Sequence, residues 1–393
     1  ERNAHWVESE FPVLPLAGQP DKPWDTPSLR VLKEGLGDSG LRRTMLDWDA
    51  LRTAWTSGDS AAAEVAARSL RDSVVARAGS AIRPAALEAE ALYNALRPFH
   101  WAMLLFAFAF LPALFGLWKD RVLWVRVGDV LSASAMLMLL AGMGLRMVVT
   151  LRPPVTNLYE TFLFVAATVV PALVLPSLLK GWRAGSALGA LTGFVLLLLA
   201  RGFGVDGDTM PVLVAVLDSN LWLAVHVITI TIGYGGVIAA GIAGHWHLWR
   251  TRRGGEGCFG VVRALAGFGL FFTFVGTLLG GVWADQSWGR FWGWDPKENG
   301  ALLIVLWVAG TFHAKLSGLI GTRGFAAWTA GSISTVLFAW FGVNLLGVGL
   351  HSYGFTQGTF KGLAAWGVAE SAFLVWALWT RSATGPKGDS AAS

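Results

Sequence analysis

Long apolar runs separated by short polar segments make up most of the chain from residue 100 onward. A helix that crosses a hydrocarbon core of ~30 Å needs about 20 residues, and nine runs are close to that length or exceed it. The predicted spans are residues 100–118, 127–148, 157–179, 184–200, 221–247, 264–282, 300–319, 325–345 and 362–380. Because a helix satisfies its own backbone polar groups in lipid, we predict an all-α, polytopic transmembrane helical bundle of about nine helices.

The first 97 residues have a different pattern. Residues 41–79 are Ala-rich, with apolar positions at helical spacing and a turn-like break at the tetrapeptide SGDS, so we expect a soluble helical hairpin. The predicted division is an external segment at residues 1–97, a transmembrane domain at 98–380 and a cytoplasmic tail at 381–393. Since the chain opens at Glu1 without an initiator Met or a signal peptide, we expect a processed form or the C-terminal part of a longer protein.

Composition agrees with a membrane protein. Of the 393 residues, 54% are hydrophobic and only 15% are charged, so the bilayer is expected to be the main solvent of the chain. The net charge of +5 does not indicate nucleic acid as a partner, because the basic residues lie in short connections between apolar runs and not in one patch.

The basic residues are divided unevenly between the two sides of the predicted bundle. One side carries Lys119, Arg121, Arg126, Lys180, Arg183, Arg250, Arg252, Arg253, Arg263, Lys315, Arg323, Arg381 and Lys387. The other side, apart from the N-terminal segment, carries Arg146, Arg152, Arg201, Arg290, Lys297 and Lys361. By the positive-inside rule the first side is cytoplasmic, which predicts a protein of the cytoplasmic (inner) membrane whose C-terminus is cytoplasmic. The N-terminus and the loop at residues 283–299 are then external.

The external loop WADQSWGRFWGWDPKEN, residues 283–299, is unusually aromatic. It contains Trp283, Trp288, Phe291, Trp292 and Trp294 within twelve residues. A single tryptophan here would be an interfacial anchor at headgroup depth. Five aromatic residues, interleaved with glycines that allow close backbone approach, favour a platform for a large, flat, apolar ring system. Asp295, Lys297 and Glu298 are candidates to fix this loop through bonds to the backbone and to the start of the next helix.

Two histidines lie on the predicted external side, where they can flank the Trp-rich loop. His226 is near the start of the fifth span and His351 follows the eighth. A lone histidine at a helix end is more often a structural residue than a ligand, but a pair of imidazoles beside an aromatic platform is typical of haem ligation.

The remaining histidines are weaker candidates, with one exception. His313 lies within the seventh span toward its cytoplasmic half, where an ionisable residue is a functional hypothesis by default. A second ligand at that depth would have to come from another chain or from sequence ahead of Glu1. His100, His245 and His247 are interpreted as interfacial residues, and His5 lies in a leader without a predicted element.

Four segments together resemble a known family. The loop resembles the WWD signature of haem-handling membrane proteins of the CcsA/ResC type, which belong to System II cytochrome c synthases. The other matching segments are RPPVTNLYETFLF from Arg152, LWLAVHVITITIGYG from Leu221 and NLLGVGLHSYG from Asn344. The resemblance covers roughly residues 95 to 380. It departs from the commoner pattern at Asn299 and Gly300, where Thr and Trp are frequent.

The resemblance implies a cofactor and its ligands. His226 and His351 would be axial ligands of haem b at the external site, with Trp283, Trp288, Trp292, Trp294 and Asp295 in the cofactor-binding loop. His313 would be a transmembrane haem ligand, whose partner ligand in the family belongs to a CcsB/ResB-type protein.

The resemblance also implies a reaction. Haem would cross the membrane and be attached covalently to the CxxCH motif of an apocytochrome c, with a thiol-reducing protein as a further partner. The single Cys258 excludes an internal disulfide or a CxxC pair, so the thiols must be supplied by the substrate or a partner. The alternative is a haem transporter or chaperone that presents haem to a separate ligase. An unrelated transporter with a polar lid is disfavoured, because the sequence has no pair of broken midplane helices.

Overall fold

A computed structural model describes residues 39–78, 83–204, 209–210, 221–348 and 359–379. These residues are almost entirely helical and contain no strand, which confirms the all-α prediction. The helices are α1 (Ser39–Thr56), α2 (Ser60–Ala78), α3 (Pro84–Leu96), α4 (Pro98–Trp118), α5 (Val122–Thr150), α6 (Leu158–Lys180), α7 (Ala184–Phe203), α8 (Leu221–Arg252), α9 (Phe259–Trp288), α10 (Pro296–Leu316), α11 (Thr322–Trp340) and α12 (Thr359–Leu378), with a 3₁₀ helix at Gly342–Leu346 after α11.

The chain divides into two compact units between Ala91 and Leu92. In the first unit, α1 and α2 pack against each other as a helical hairpin. The turn between them lies at the SGDS segment, where Gly58 has a φ of +73° that favours glycine. The Asp59 carboxylate then accepts a hydrogen bond of 2.9 Å from the amide of Ala62, which supports the first turn of α2.

The second unit contains the membrane bundle. Helices α4 to α12 lie at the positions of the nine predicted spans, and seven of them, α4 to α10, are long and apolar enough to cross a membrane within the described residues. Helix α11 is rich in small and hydroxyl residues, and most of its length is buried against neighbouring helices. Helix α12 carries Lys361 and Glu370 within its 20 residues. The chain is therefore an integral membrane protein built as a helical bundle.

Helix α8 lies at the centre of this unit, in contact with α6, α9 and α11. Its packing against α9 is the most extensive between any two described helices and depends on glycine. A methyl group added at Gly276 would lie 2.7 Å from the Ile230 backbone, and one added at Gly236 would lie 2.8 Å from the Cα of Gly269. Small residues let two membrane helices approach backbone to backbone. The paired positions run in opposite directions, so the start of α8 and the end of α9 lie at the same end of the bundle.

Candidate functional site

His226 lies one turn into α8, half-buried against α9. Its Nδ1 is 2.8 Å from the carbonyl oxygen of Gly276. Because a carbonyl oxygen can only accept, Nδ1 must carry the proton and donate it. The neutral ring then has its lone pair on Nε2, which is the arrangement that a second hydrogen bond commonly imposes on a metal-binding histidine.

The ring of His226 is held on two sides by α9. The indole of Trp283 stacks on it, with 6.3 Å between ring centroids and only 5° between the ring planes. Gly280 provides the space for the ring, since a methyl group there would lie 2.6 Å from Cε1 of His226. Trp283 is just 2% exposed. It is therefore placed to orient the imidazole and not to present a surface to solvent.

The other loop tryptophans differ from Trp283 in exposure. Trp288 packs edge-on against Trp283, with centroids 4.6 Å apart and planes at 67°. Trp292 and Trp294 form a second edge-to-face pair at 6.0 Å and 89°. The side chain of Trp294 is 70% exposed, and its φ of 59° is unusual for a residue other than glycine. The rings therefore form two edge-to-face pairs, which differs from the single flat platform that the sequence predicts.

The charged residues of the loop hold the start of α10. Asp295 is the buried N-cap residue, and its carboxylate accepts a 2.9 Å hydrogen bond from the amide of Lys297. The Glu298 carboxylate accepts from the amides of Gly293 and Asp295 at 2.8 and 3.1 Å, which completes a capping box. Arg290 donates to the other Glu298 oxygen at 3.1 Å. This is the framework role that the sequence predicted for Asp295 and Glu298.

Lys297 connects the loop to the end of α11. Its ammonium donates to the carbonyl oxygens of Ala339 and Trp340 at 3.2 and 2.7 Å. These are among the last carbonyls of α11, where a cation is favoured by the helix dipole. The chain continues from there into the 3₁₀ helix and toward His351. His351 itself lies outside the described residues.

His313 lies in the last turn of α10, at the end of the bundle opposite the Trp-rich loop. Its Nδ1 donates to the carbonyl of Ala309 at 2.8 Å, and its side chain is exposed on the outer surface of this chain. The sequence places this residue within the seventh span toward its cytoplasmic half. In the structure its ring is on the face of α10 that no neighbouring described helix covers.

The other interfacial histidines have local structural partners. His245 donates from Nδ1 to the Gly241 carbonyl, and its Nε2 lies 2.8 Å from the buried Glu370 carboxylate on α12. His247 accepts from the amide of Cys258 at 3.0 Å. His100 is exposed at the start of α4. His5 lies outside the described residues.

Sequence reasoning missed a buried ion pair at the same end as the Trp-rich loop. Arg146 of α5 and Glu160 of α6 are each 1% exposed and lie 2.8 Å apart. The second Glu160 oxygen accepts from the amide and the hydroxyl of Thr156, and Arg146 also donates to Thr209. In the sequence, Arg146 serves only as a topology signal. A charge within the predicted span 127–148 was the available clue, because such residues need a partner.

The fold and the site define a polytopic helical membrane protein with a histidine and a Trp-rich loop at one end. A family model described as "Cytochrome C assembly protein" matches residues 99–351, which is well over half of the chain. The chain therefore belongs to the cytochrome c assembly protein family.

Curated relatives agree with this assignment. The chain is 31% identical over 271 residues to the cytochrome c biogenesis protein CcsA of Synechococcus sp. strain RCC307, a match covering 58% of this chain and 85% of the relative. It is 33% identical over 221 residues to CcsA of Chlamydomonas reinhardtii, covering 51% of this chain and 61% of that protein. A shorter match to CcsA of Heterosigma akashiwo strain CCMP452 is 46% identical over 91 residues, 23% of this chain and 28% of the relative.

Proposed function

We propose that this protein acts in cytochrome c maturation by holding haem b at the end of the bundle with the Trp-rich loop and presenting it to an apocytochrome c. The observation that carries the proposal is the fixed ring of His226, whose Nδ1 donates to Gly276 while Trp283 stacks on its face. In this tautomer the lone pair lies on Nε2, which we propose as the atom that binds iron. Membership in the family and the CcsA relatives support the same role.

The loop residues have apolar aromatic side chains, which suit the apolar surface of a porphyrin. Trp288, Trp292 and Trp294 offer apolar faces and edges, and covering such surface is worth about 25 cal/mol per Å². The capping box fixes the backbone that carries them. We propose Asp295 as a residue that positions Trp294 through the cap, with His351 as the second axial ligand, as the family resemblance implies.

Covalent attachment would use thiols of the substrate. Addition of a CxxCH thiol across a haem vinyl group breaks the S–H bond and the π bond of the vinyl group and forms one C–S and one C–H bond, so the atoms balance without a further reactant. Cys258, at the opposite end of α9, is buried, and burial raises the pKa of its thiol to about 12. A thiol that stays protonated and lies a whole helix away cannot serve this step. The contribution of the protein is then placement of the two reactants.

The exposure of the His313 ring is the observation that supports a role for a partner chain. We propose that it is a transmembrane haem ligand whose second ligand is supplied by a CcsB/ResB-type membrane protein packed against α10. A thiol-reducing protein would keep the CxxCH cysteines reduced. The proposed location is the cytoplasmic membrane, with the N-terminal segment and the Trp-rich loop external and the C-terminus cytoplasmic.

The test is co-expression in a host that lacks its own maturation system. The chain is produced with an apocytochrome c bearing CxxCH, with and without a CcsB-type partner, and covalent haem on the cytochrome is measured. We expect covalent haem when the partner is present. Haem that co-purifies with this chain but never becomes covalent on the cytochrome would overturn attachment and favour the second candidate, haem delivery to a separate ligase.

A further inference from the structure

A cavity of about 1600 Å³ opens at the end of the bundle opposite the Trp-rich loop. It lies where the last turns of α4, α6 and α8 meet the first turns of α7 and α9. Leucine, phenylalanine and tryptophan make up about half of the lining residues, and the cavity is also lined by Lys180, Arg183 and Arg250. Apolar walls with cations at the membrane surface fit an amphipathic ligand with a negatively charged head.

The charges of the cavity leave a net positive site. Arg183 forms an ion pair with Asp120, so these two lining residues neutralise each other. The other charged residues of the lining are the cations Lys180 and Arg250 and the exposed carboxylate of Glu256, so positive charge is in excess. Within the described part of the chain, neither Lys180 nor Arg250 forms an ion pair. Both cations are therefore available to an anionic headgroup.

The starts of two helices add to the positive character of the same cavity. The first turns of α7 and α9 also line the cavity, and their N-cap residues, Arg183 and Cys258, make no side-chain capping hydrogen bond. Uncapped amides and the positive ends of two helix dipoles add to the attraction for an anion.

We propose that this cavity binds an acidic phospholipid from the adjacent leaflet. The phosphodiester would lie near Lys180 and Arg250, and the acyl chains would follow the exposed leucines of α4 and α6. From Leu111 to Trp118 the α4 wall extends for about 10 Å along the helix axis, enough for the upper part of an acyl chain. Basic pockets between transmembrane helices are a known means of recognising anionic lipid headgroups.

The lining residues favour a lipid over haem as occupant. None of them is a histidine or a methionine, so an iron atom would have no nitrogen or thioether ligand there. Cys258 lines the cavity, but its side chain is buried and its Sγ donates to the carbonyl oxygen of Ala243 at 3.5 Å, so the sulfur is directed at α8. The inference is independent of the proposed haem chemistry at the other end of the bundle.

The experiment measures lipid retained by the full-length protein. The protein is exchanged into nanodiscs of phosphatidylcholine with or without phosphatidylglycerol, released, and analysed by native mass spectrometry. We expect selective retention of phosphatidylglycerol, with affinity falling about fivefold for each of Lys180→Gln and Arg250→Gln. Arg263→Gln is the matched control, because Arg263 is exposed in the first turns of α9 and does not line the cavity.

A second variant tests the cavity without removing charge. A methyl group at Gly260 would meet no heavy atom within 4 Å, although this residue lines the cavity. Gly260→Phe should fill the space and displace the lipid while the protein stays folded. The proposal would be overturned if the wild-type protein retained both lipids equally. It would also be overturned if Arg263→Gln lost as much phosphatidylglycerol as Lys180→Gln and Arg250→Gln do. Haem, and not lipid, released from the wild type and lost in Gly260→Phe would also overturn it.

Discussion

His226 and His247 lie on the same helix, α8, yet their Nδ1 atoms have opposite partners. Nδ1 of His226 donates to the Gly276 carbonyl, whereas Nδ1 of His247 accepts from the amide of Cys258. Neutral imidazoles with these partners are opposite tautomers. The lone pair is on Nε2 in His226 and on Nδ1 in His247, where the amide already uses it. The partner of Nδ1 therefore separates a candidate iron ligand from a structural residue.

The rings differ in their aromatic neighbours as well. The ring of His226 is parallel to Trp283, whereas the ring of His247 is tilted by 54° to Phe259, with 6.1 Å between centroids. The amide that His247 binds belongs to the residue just before α9, so this histidine holds the start of that helix. One end of the α8–α9 pair thus holds the candidate iron ligand, and the histidine at the other end fixes the start of a helix.

The largest expected effect follows from removing each ring. His226→Gly should lower covalent haem on a co-expressed cytochrome more than tenfold, with partial recovery when imidazole is added to replace the ligand. His247→Asn, which can keep an acceptor for the Cys258 amide, should leave haem attachment within about twofold. The measurement is covalent haem per cytochrome. Full attachment in His226→Gly without imidazole would contradict axial ligation.

The two kinds of loop tryptophan should respond in opposite ways. Trp283→Ala removes a buried ring and should lower the free energy of unfolding by about 3–5 kcal/mol. Trp294→Ala removes an exposed ring and should change it by less than about 0.5 kcal/mol, while weakening haem binding. Unfolding in detergent and haem titration of the purified protein give the two quantities. Equal destabilisation by both variants would show that burial does not separate the two roles.

A substitution at Gly280 tests whether haem binding requires the observed position of the His226 ring, and not only the presence of the ring. A methyl group there would lie 2.6 Å from the ring, so Gly280→Ala should move the imidazole and cost about 1–3 kcal/mol through overpacking. The haem absorption spectrum should shift in this variant. Gly310→Ala on α10 is the control, because a methyl group there meets no heavy atom within 4 Å. A normal spectrum in Gly280→Ala would mean that the ring tolerates displacement.

Most of the fold could be predicted from the sequence because a membrane helix must be long, apolar and internally hydrogen-bonded. The limits of the apolar runs therefore located helices α4 to α12. The apolar pattern is weakest in α11. This helix is largely buried against other helices, so it can carry serine and threonine where a lipid-facing helix would carry leucine.

The candidate site could be predicted in its residue types but not in its geometry. The pattern identified His226 and the Trp-rich loop, yet it could not show that Trp283 is buried or that Gly280 makes room for the imidazole. These properties depend on which residues face each other across α8 and α9, residues about 50 positions apart in sequence. The Arg146–Glu160 pair was missed for the same reason, since its two halves come from different helices.

The smallest expected effect separates the two possible roles of Asp295. Its carboxylate caps α10, and asparagine is an equally good N-cap residue, whereas alanine is not. Asp295→Ala should therefore cost about 1 kcal/mol of stability and weaken haem binding by loosening the backbone that carries Trp294. Asp295→Asn should preserve both properties. Asp285→Asn, an exposed change elsewhere in the loop, provides the matched control. If Asp295→Asn loses haem as fully as Asp295→Ala while its unfolding is unchanged, the carboxylate charge acts on the cofactor and the cap alone does not explain the residue.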